Sequence, residues 1–476
     1  MTLAATAAVT LEVVALTPMH GIGGRQDLPL PFEFVVAGAA TAVIASFLVL
    51  SLAWRTARPA DPGRPLGERL TRIVDSAGLR WTVRGVGLTV ALFMGMALLF
   101  GQDLLTNPIF GFVYVWVWVG LVPISLLFGP VWRTLNPLRT VHLLAGRLLG
   151  ADPSHGVARL PERVGRWPAA IGLFGFVWLE LVAPDRVTIP ILLFWLSLYT
   201  VIMLFGSVSF GQRWFSAADS FETYALTMAK MSPWGRGSGG QILLRSPLAN
   251  LATFRPQPGM VIFLVVLIGS TGYDGFSNSS LWVRWTQNSL LPTVVVSTLG
   301  LLGFIAIVFT SYTAACLLAG RLTHSSRRTL PGQFLHSLVP IALGYVTAHY
   351  LTLLILEGQR VFITSSDPLS RGWDLFGTAG WGINVSIVNY PGLIGSIQTA
   401  AIVLGHILGV ILAHDRALAL FPRRAALIGQ VPSWSSWSAT PSAPCCCSSP
   451  SNGSLIQKPK IENGTRLSAP YAATDQ

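Results

Sequence analysis

The chain has 476 residues, of which 52% are hydrophobic and only 11% charged. A soluble fold of this length needs a far more polar surface, so the composition excludes water-soluble domains and points to a chain solvated by lipid. The net charge of +12 does not signal a nucleic-acid partner, because the arginines stand beside the ends of apolar runs rather than on one polar domain.

In chain order, residues 1–19 are apolar, carry Glu12 and have no basic n-region, which reads as a degenerate signal-like segment. Residues 20–31 begin His20-Gly-Ile-Gly-Gly-Arg25. No βαβ context follows these glycines, so a nucleotide loop is not expected, and a lid over an outer vestibule is. Residues 32–430 form a transmembrane helical domain. Its apolar runs are Phe32–Trp54, Gly85–Gly101, Ile109–Phe128, Pro168–Val182, Ile189–Ser207, Gly259–Gly272, Leu291–Ala319, Phe334–Leu356 and Ser396–Ala413. Each is about long enough to cross a ~30 Å hydrocarbon core as a helix. The expected fold is an all-α, polytopic transmembrane helical bundle of about nine spans.

Arginine-rich connections alternate with arginine-poor ones, which is how the positive-inside rule writes topology. Arg55–Arg84 holds seven arginines, and the next connection, Gln102–Pro108, has Asp103 and no basic residue. Arg133–Arg166, Arg213–Arg255, Arg321–Arg328 and Arg416–Arg424 continue the inner set. The turn at Asp185–Arg186, Tyr273–Leu290 and Gly358–Gly395 continue the outer one. The expectation is a multi-pass protein of the cell membrane, with the N-terminus of the first span outside and the C-terminal tail cytoplasmic. Within the inner connections, Val141–Leu149 and Asp219–Met231 have the apolar spacing of short interfacial helices or cytoplasmic caps. Asp219-Ser-Phe-Glu222 reads as a helix start, with Glu222 as its capping-box residue.

Residues 431–476 change character, to Ser, Trp, Cys and Pro between Pro432 and Pro450. Codons for Ser, Cys and Trp begin with U, and a frame displaced by one base moves that U to the second position, where it encodes Leu, Val, Ile, Phe or Met. Recoded this way, the segment becomes about one further span. The expectation is a tenth helix lost by frameshift. Cys445–Cys447 fit neither a metal knuckle nor a disulfide framework, and Cys316 reads as a buried thiol.

Ionisable groups inside spans are costly and therefore mark function. His349 stands about eight residues before the outer end of its span, and His406 about nine after the outer start of the next. Equal depth on consecutive antiparallel helices suggests that the two imidazoles face each other. Such a pair suits a divalent metal, a haem or a proton relay, against a plain alternative in which each histidine bonds a neighbouring helix. His414 falls near the inner end, beside Asp415 and Arg416. Acidic residues gather outside: Asp103, Glu180, Asp185, Asp274, Glu357, Asp367 and Asp374. His349, His406, Glu357 and Asp274 are the catalytic candidates, and His349 and His406 the metal candidates. No GxSxG, HExxH or Walker sequence is present.

His20–Pro31, Phe128-Gly-Pro-Val-Trp-Arg-Thr-Leu-Asn-Pro-Leu-Arg139, Tyr273-Asp-Gly-Phe276, Ala342–Gln359, Ser366–Gly377 and Val403–Leu418 are distinctive segments. With them the chain resembles, over about His20–Gln430, bacterial polytopic membrane proteins labelled fenitrothion hydrolase. The resemblance implies an organophosphate triester hydrolase in the membrane, and assigns no catalytic residue. Such proteins continue into a further apolar span where this chain has its tail. The rival expectation is a transporter or metal-handling membrane protein, using the same His and acidic residues as a cation or proton pathway. Expected partners are the lipid bilayer and a small-molecule or cation ligand.

Overall fold

The computed structural model describes residues 41–422, apart from 43, 47, 51, 55, 58–60 and 324–328. The signal-like segment, the Gly-rich segment 20–31 and the tail 431–476 lie outside the described residues.

Helix α1 (Ala77–Phe100) starts where Ser76 accepts a hydrogen bond from the Leu79 backbone, and ends at Gly101. α2 (Pro108–Phe128) starts on Asn107, whose side chain accepts from the Ile109 backbone, with Pro108 in the first turn, where its missing N–H costs nothing. From Phe112 to Gly120 α2 widens into π-helical turns, a form that recurs at functional sites. α3 (Pro137–Leu148) is short and amphipathic, with Leu143 buried and Leu148 exposed. α4 (Trp167–Leu181), α5 (Ile189–Phe210), α6 (Ser220–Ala229) and α7 (Met260–Ser277) follow. After the short helix α8 (Ser280–Gln287) come α9 (Thr293–Leu322), α10 (Leu330–Thr364) and α11 (Pro391–Leu420).

The protein is an all-α helical bundle of membrane-spanning type. Among the described residues seven helices are long and apolar enough to cross a bilayer: α1, α2, α5, α7, α9, α10 and α11. Of the other two expected spans, the first is described only from Thr41 onward, and α4 has 15 residues. At ~1.5 Å per residue α4 reaches about 22 Å, short of a full crossing. α2, α7 and α10 are largely buried at the centre, whereas α1, α5 and α9 turn apolar side chains such as Leu92, Phe205 and Ile307 outward. An outward apolar surface is stable in hydrocarbon and would not be in water.

Glycines set the tightest contact. A Cβ on Gly344 of α10 would lie 2.5 Å from the Ala401 carbonyl oxygen, and one on Gly405 of α11 would lie 2.6 Å from that of Pro340. Only glycine permits this approach, which fixes the register of α10 against α11.

Two features depart from the sequence-based expectation. A small antiparallel sheet forms at the arginine-rich end from β1 (Arg64–Pro65), β2 (Trp234–Arg236) and β3 (Ile242–Leu244), in the order β1-β3-β2. It ties the connection before α1 to the one after α6, and Arg236 adds a bidentate ion pair to Asp75 at 2.6 and 2.7 Å. The second departure is α6, which is neither interfacial nor a cap. Nearly all of its residues are buried, and it packs against α2 and α4 inside the bundle.

Candidate functional site

Burying α6 requires partners for the charges at its start, and the sequence supplies them from the Phe128–Arg139 segment. Asp219 caps the helix, accepting from the backbone N–H groups of Phe221 and Glu222 at 2.9 and 3.0 Å. Its carboxylate also accepts from Trp132 Nε1, Asn136 Nδ2 and the Tyr199 hydroxyl. Glu222 does not close a capping box. It accepts from Arg139 Nη2 at 2.6 Å, with both side chains almost fully buried, and from Ser216 Oγ. Arg166 donates to the Ser216 carbonyl and to Thr223 Oγ1. Each of these charged groups is thus hydrogen-bonded inside the protein, Glu222 to a guanidinium and Asp219 and Arg166 to neutral partners, as a low-dielectric setting demands.

The clamp at the arginine-rich end holds Tyr224 of α6 against the π-helical turns of α2, where its ring stacks on Trp118 with centroids 5.2 Å apart. Trp118 also meets Phe176 of α4 at 5.2 Å and the edge of Tyr350 of α10 at 6.3 Å. At this aromatic centre sits Asp274 of α7. Asp274 Oδ2 accepts from His349 Nε2 at 2.8 Å and from the Tyr350 hydroxyl at 2.9 Å. The Asp274 side chain is 6% exposed and that of His349 19% exposed, so the imidazole keeps some access. Gly275 lies beside the His349 ring, where even a Cβ would come within 4.0 Å of Nδ1. Glu180 of α4 is buried within electrostatic reach of Asp274, and its Oε2 has no hydrogen-bond partner. Trp118 Nε1, the Tyr224 hydroxyl and Thr352 Oγ1 are likewise buried without partners.

The arrangement can hold a proton-accepting imidazole in one orientation. A carboxylate that accepts from one ring nitrogen fixes the tautomer and directs the other nitrogen to take a proton. Trp118, Phe176 and Tyr224 pack on one another as a buried aromatic cluster beside this group.

No family model, curated protein or solved structure matches the chain. The site must therefore be read from its own geometry.

Of the four catalytic candidates, the structure brings two together, Asp274 and His349. His406 does not face His349. Gly344 and Gly405 set the helix register so that His406 meets Tyr345, one turn before His349, edge to face at 5.7 Å. His406 Nδ1 bonds the Ile402 carbonyl of its own helix, and Nε2 has no partner. The expected histidine pair is thus absent from the described residues. Among them no group of three or more His, Cys, Asp or Glu is arranged to hold a metal. Glu357 pairs with Arg360, one turn along α10, at 2.7 Å. Its partner three residues away was legible in the sequence.

The remaining acids mostly build turns. Asp103 accepts from the Ile189 backbone at the start of α5, and Asp367 from the backbones of Arg371 and Gly372. Asp374 accepts from the Ala379 backbone, which with neighbouring donors holds its carboxyl below the ordinary range. His414 bonds the Trp54 carbonyl at 3.3 Å, and Arg416 bonds Gln333. Tyr350, Trp118 and Tyr224 escaped the sequence reading, because aromatic residues in a span look like ordinary core.

Proposed function

We propose that the protein is a membrane-embedded hydrolase of uncharged organophosphate triesters, with His349 as general base and Asp274 as the residue that positions it. The observation that carries this reading is Asp274 Oδ2 accepting from both His349 Nε2 and the Tyr350 hydroxyl. The substrate class comes from the resemblance of the sequence to membrane proteins labelled fenitrothion hydrolase. An uncharged, lipophilic aryl ester partitions into the bilayer and reaches an aromatic site within the bundle without a polar entrance.

In the reaction, a water oxygen attacks phosphorus while its proton passes to Nδ1 of His349. The bond from phosphorus to the aryloxide breaks, and the aryloxide leaves with the bonding pair. Asp274 stabilises the imidazolium that forms, and Tyr350 holds the carboxylate in place. A nitrophenolate leaving group needs no acid, so one base suffices.

The test is nitrophenolate release from a dialkyl nitrophenyl phosphorothioate by the full chain in lipid nanodiscs. His349→Ala and Asp274→Asn should each lower kcat by about 10²–10⁴-fold, the usual contribution of general-base catalysis. Wild-type protein that releases no nitrophenolate would refute the reading.

A further inference from the structure

Glu180 has no part in the general-base pair. It is buried on α4, one turn beyond Phe176, forms no ion pair among the described residues, and leaves Oε2 without a donor. Ionisable groups within its electrostatic reach come from each surrounding element. They are Asp274 on α7, Tyr114 in α2, Tyr224 on α6, Tyr350 on α10 beside His349, and Arg186 in the turn after α4. Tyr224 is electrostatically close to Glu180 yet forms no hydrogen bond with it, and Trp118 Nε1 beside Tyr224 is also unpartnered. Glu180 Oε2, the Tyr224 hydroxyl and Trp118 Nε1 are thus three buried polar atoms of neighbouring elements without hydrogen-bond partners.

Two carboxylates and one imidazole within a bundle do not balance. Even a protonated imidazole would offset only one negative charge, and like charges brought together in low dielectric repel strongly. Carboxylates sharing such a site hold a cation between them, and intramembrane acids are where ion and proton routes run. A divalent metal needs three or more protein ligands, and among the described residues no such group of His, Cys, Asp or Glu is present. Toward the acidic end the Tyr114 hydroxyl, within electrostatic reach of Glu180, donates to the Arg186 carbonyl at 2.8 Å, in an exposed contact.

We propose that Glu180 and Asp274 form an intramembrane site that binds one proton and exchanges it with water at the acidic end of the bundle. The site needs no phosphotriester, so it stands whether or not the chain is a hydrolase. It is tested by infrared difference spectroscopy of the full chain in nanodiscs, between acidic and alkaline buffer, in H₂O and D₂O. Wild type should show a protonated-carboxyl C=O band that moves on deuteration. Glu180→Gln should abolish the band, Glu180→Asp should restore a displaced one, Asp274→Asn should shift it, and Glu357→Gln should leave it unchanged. Thermal melting of each variant reports folding. Absence of a titrating band in wild type, or a band untouched by Glu180→Gln, overturns the proposal. So does a site that answers to added sodium at constant pH instead of to the proton.

Discussion

Replacing Glu222 with glutamine isolates the clamp that seats α6. Arg139 Nη2 lies 2.6 Å from Glu222 Oε2, with side chains 4% and 1% exposed, so the guanidinium depends on this carboxylate for its charge balance. Its other contacts, to Ser216 Oγ and Gln212 Oε1, are longer, at 3.3 and 3.4 Å, and neutral. Arg133, 3.8 Å from Glu222, is 61% exposed and should contribute little. Breaking a buried pair by removing one charge costs about 3–5 kcal/mol. Glutamine keeps the volume and one hydrogen bond, so Glu222→Gln should destabilise by roughly 3 kcal/mol, the low end of that range. Arg139→Met alone should cost a similar amount, because it strands Glu222. The double variant Arg139→Met/Glu222→Leu should recover most of the loss, since a well-packed apolar replacement removes both desolvation costs. Reversible unfolding in mixed micelles measures all three. A Glu222→Gln effect within about 0.5 kcal/mol of wild type, as at an ordinary surface site, would refute the reasoning. So would a double variant whose loss equals the sum of the singles.

Three further outcomes follow from particular contacts. Gly405→Ala places a Cβ against the Pro340 carbonyl, so α10 and α11 must part, and unfolding should cost about 1–3 kcal/mol less. His406→Ala should lower the melting temperature and leave any hydrolysis rate unchanged, because His406 meets Tyr345 rather than the Asp274–His349 pair. The hydrogen bond from Arg236 holds the Asp75 carboxyl below its ordinary value of 3.8. A depressed carboxyl stabilises the fold above its unfolded value and loses that contribution as pH falls through the folded one. Both partners are about half exposed, so the effect is small. Hydrogen exchange over residues 62–75 should quicken on acidification through that range in wild type, and show no such step in Asp75→Asn.

Much of the bundle was legible because a bilayer imposes one length and one composition on whatever crosses it. The runs from Gly85 to Ala413 became helices close to where their apolar stretches lie, although α4 is shorter than a full crossing. Asp274 and His349 were legible as candidates for the same reason, since an ionisable group is conspicuous among apolar residues. Their pairing was not, because the register between α7 and α10 depends on packing across the bundle. The expected match of His349 with His406 used depth alone and ignored rotation. Gly344 and Gly405 decide that rotation, and their role appears only once two backbones are brought together. α6 was misread for an electrostatic reason. Asp219 and Glu222 look like residues of a solvated connection until Trp132, Asn136 and Tyr199 arrive to hydrogen-bond the first and Arg139 to pair with the second.

Whether Asp274 and His349 act as one general-base unit on a phosphotriester, as proposed, is decided by a double-mutant cycle on the hydrolysis rate. Residues that work as a unit lose their effect together, so the second removal adds almost nothing to the first. Asp274→Asn, His349→Ala and the double variant should all fall by a similar factor, about 10²–10⁴. Losses that multiply in the double variant, or a rate that survives His349→Ala, would contradict it.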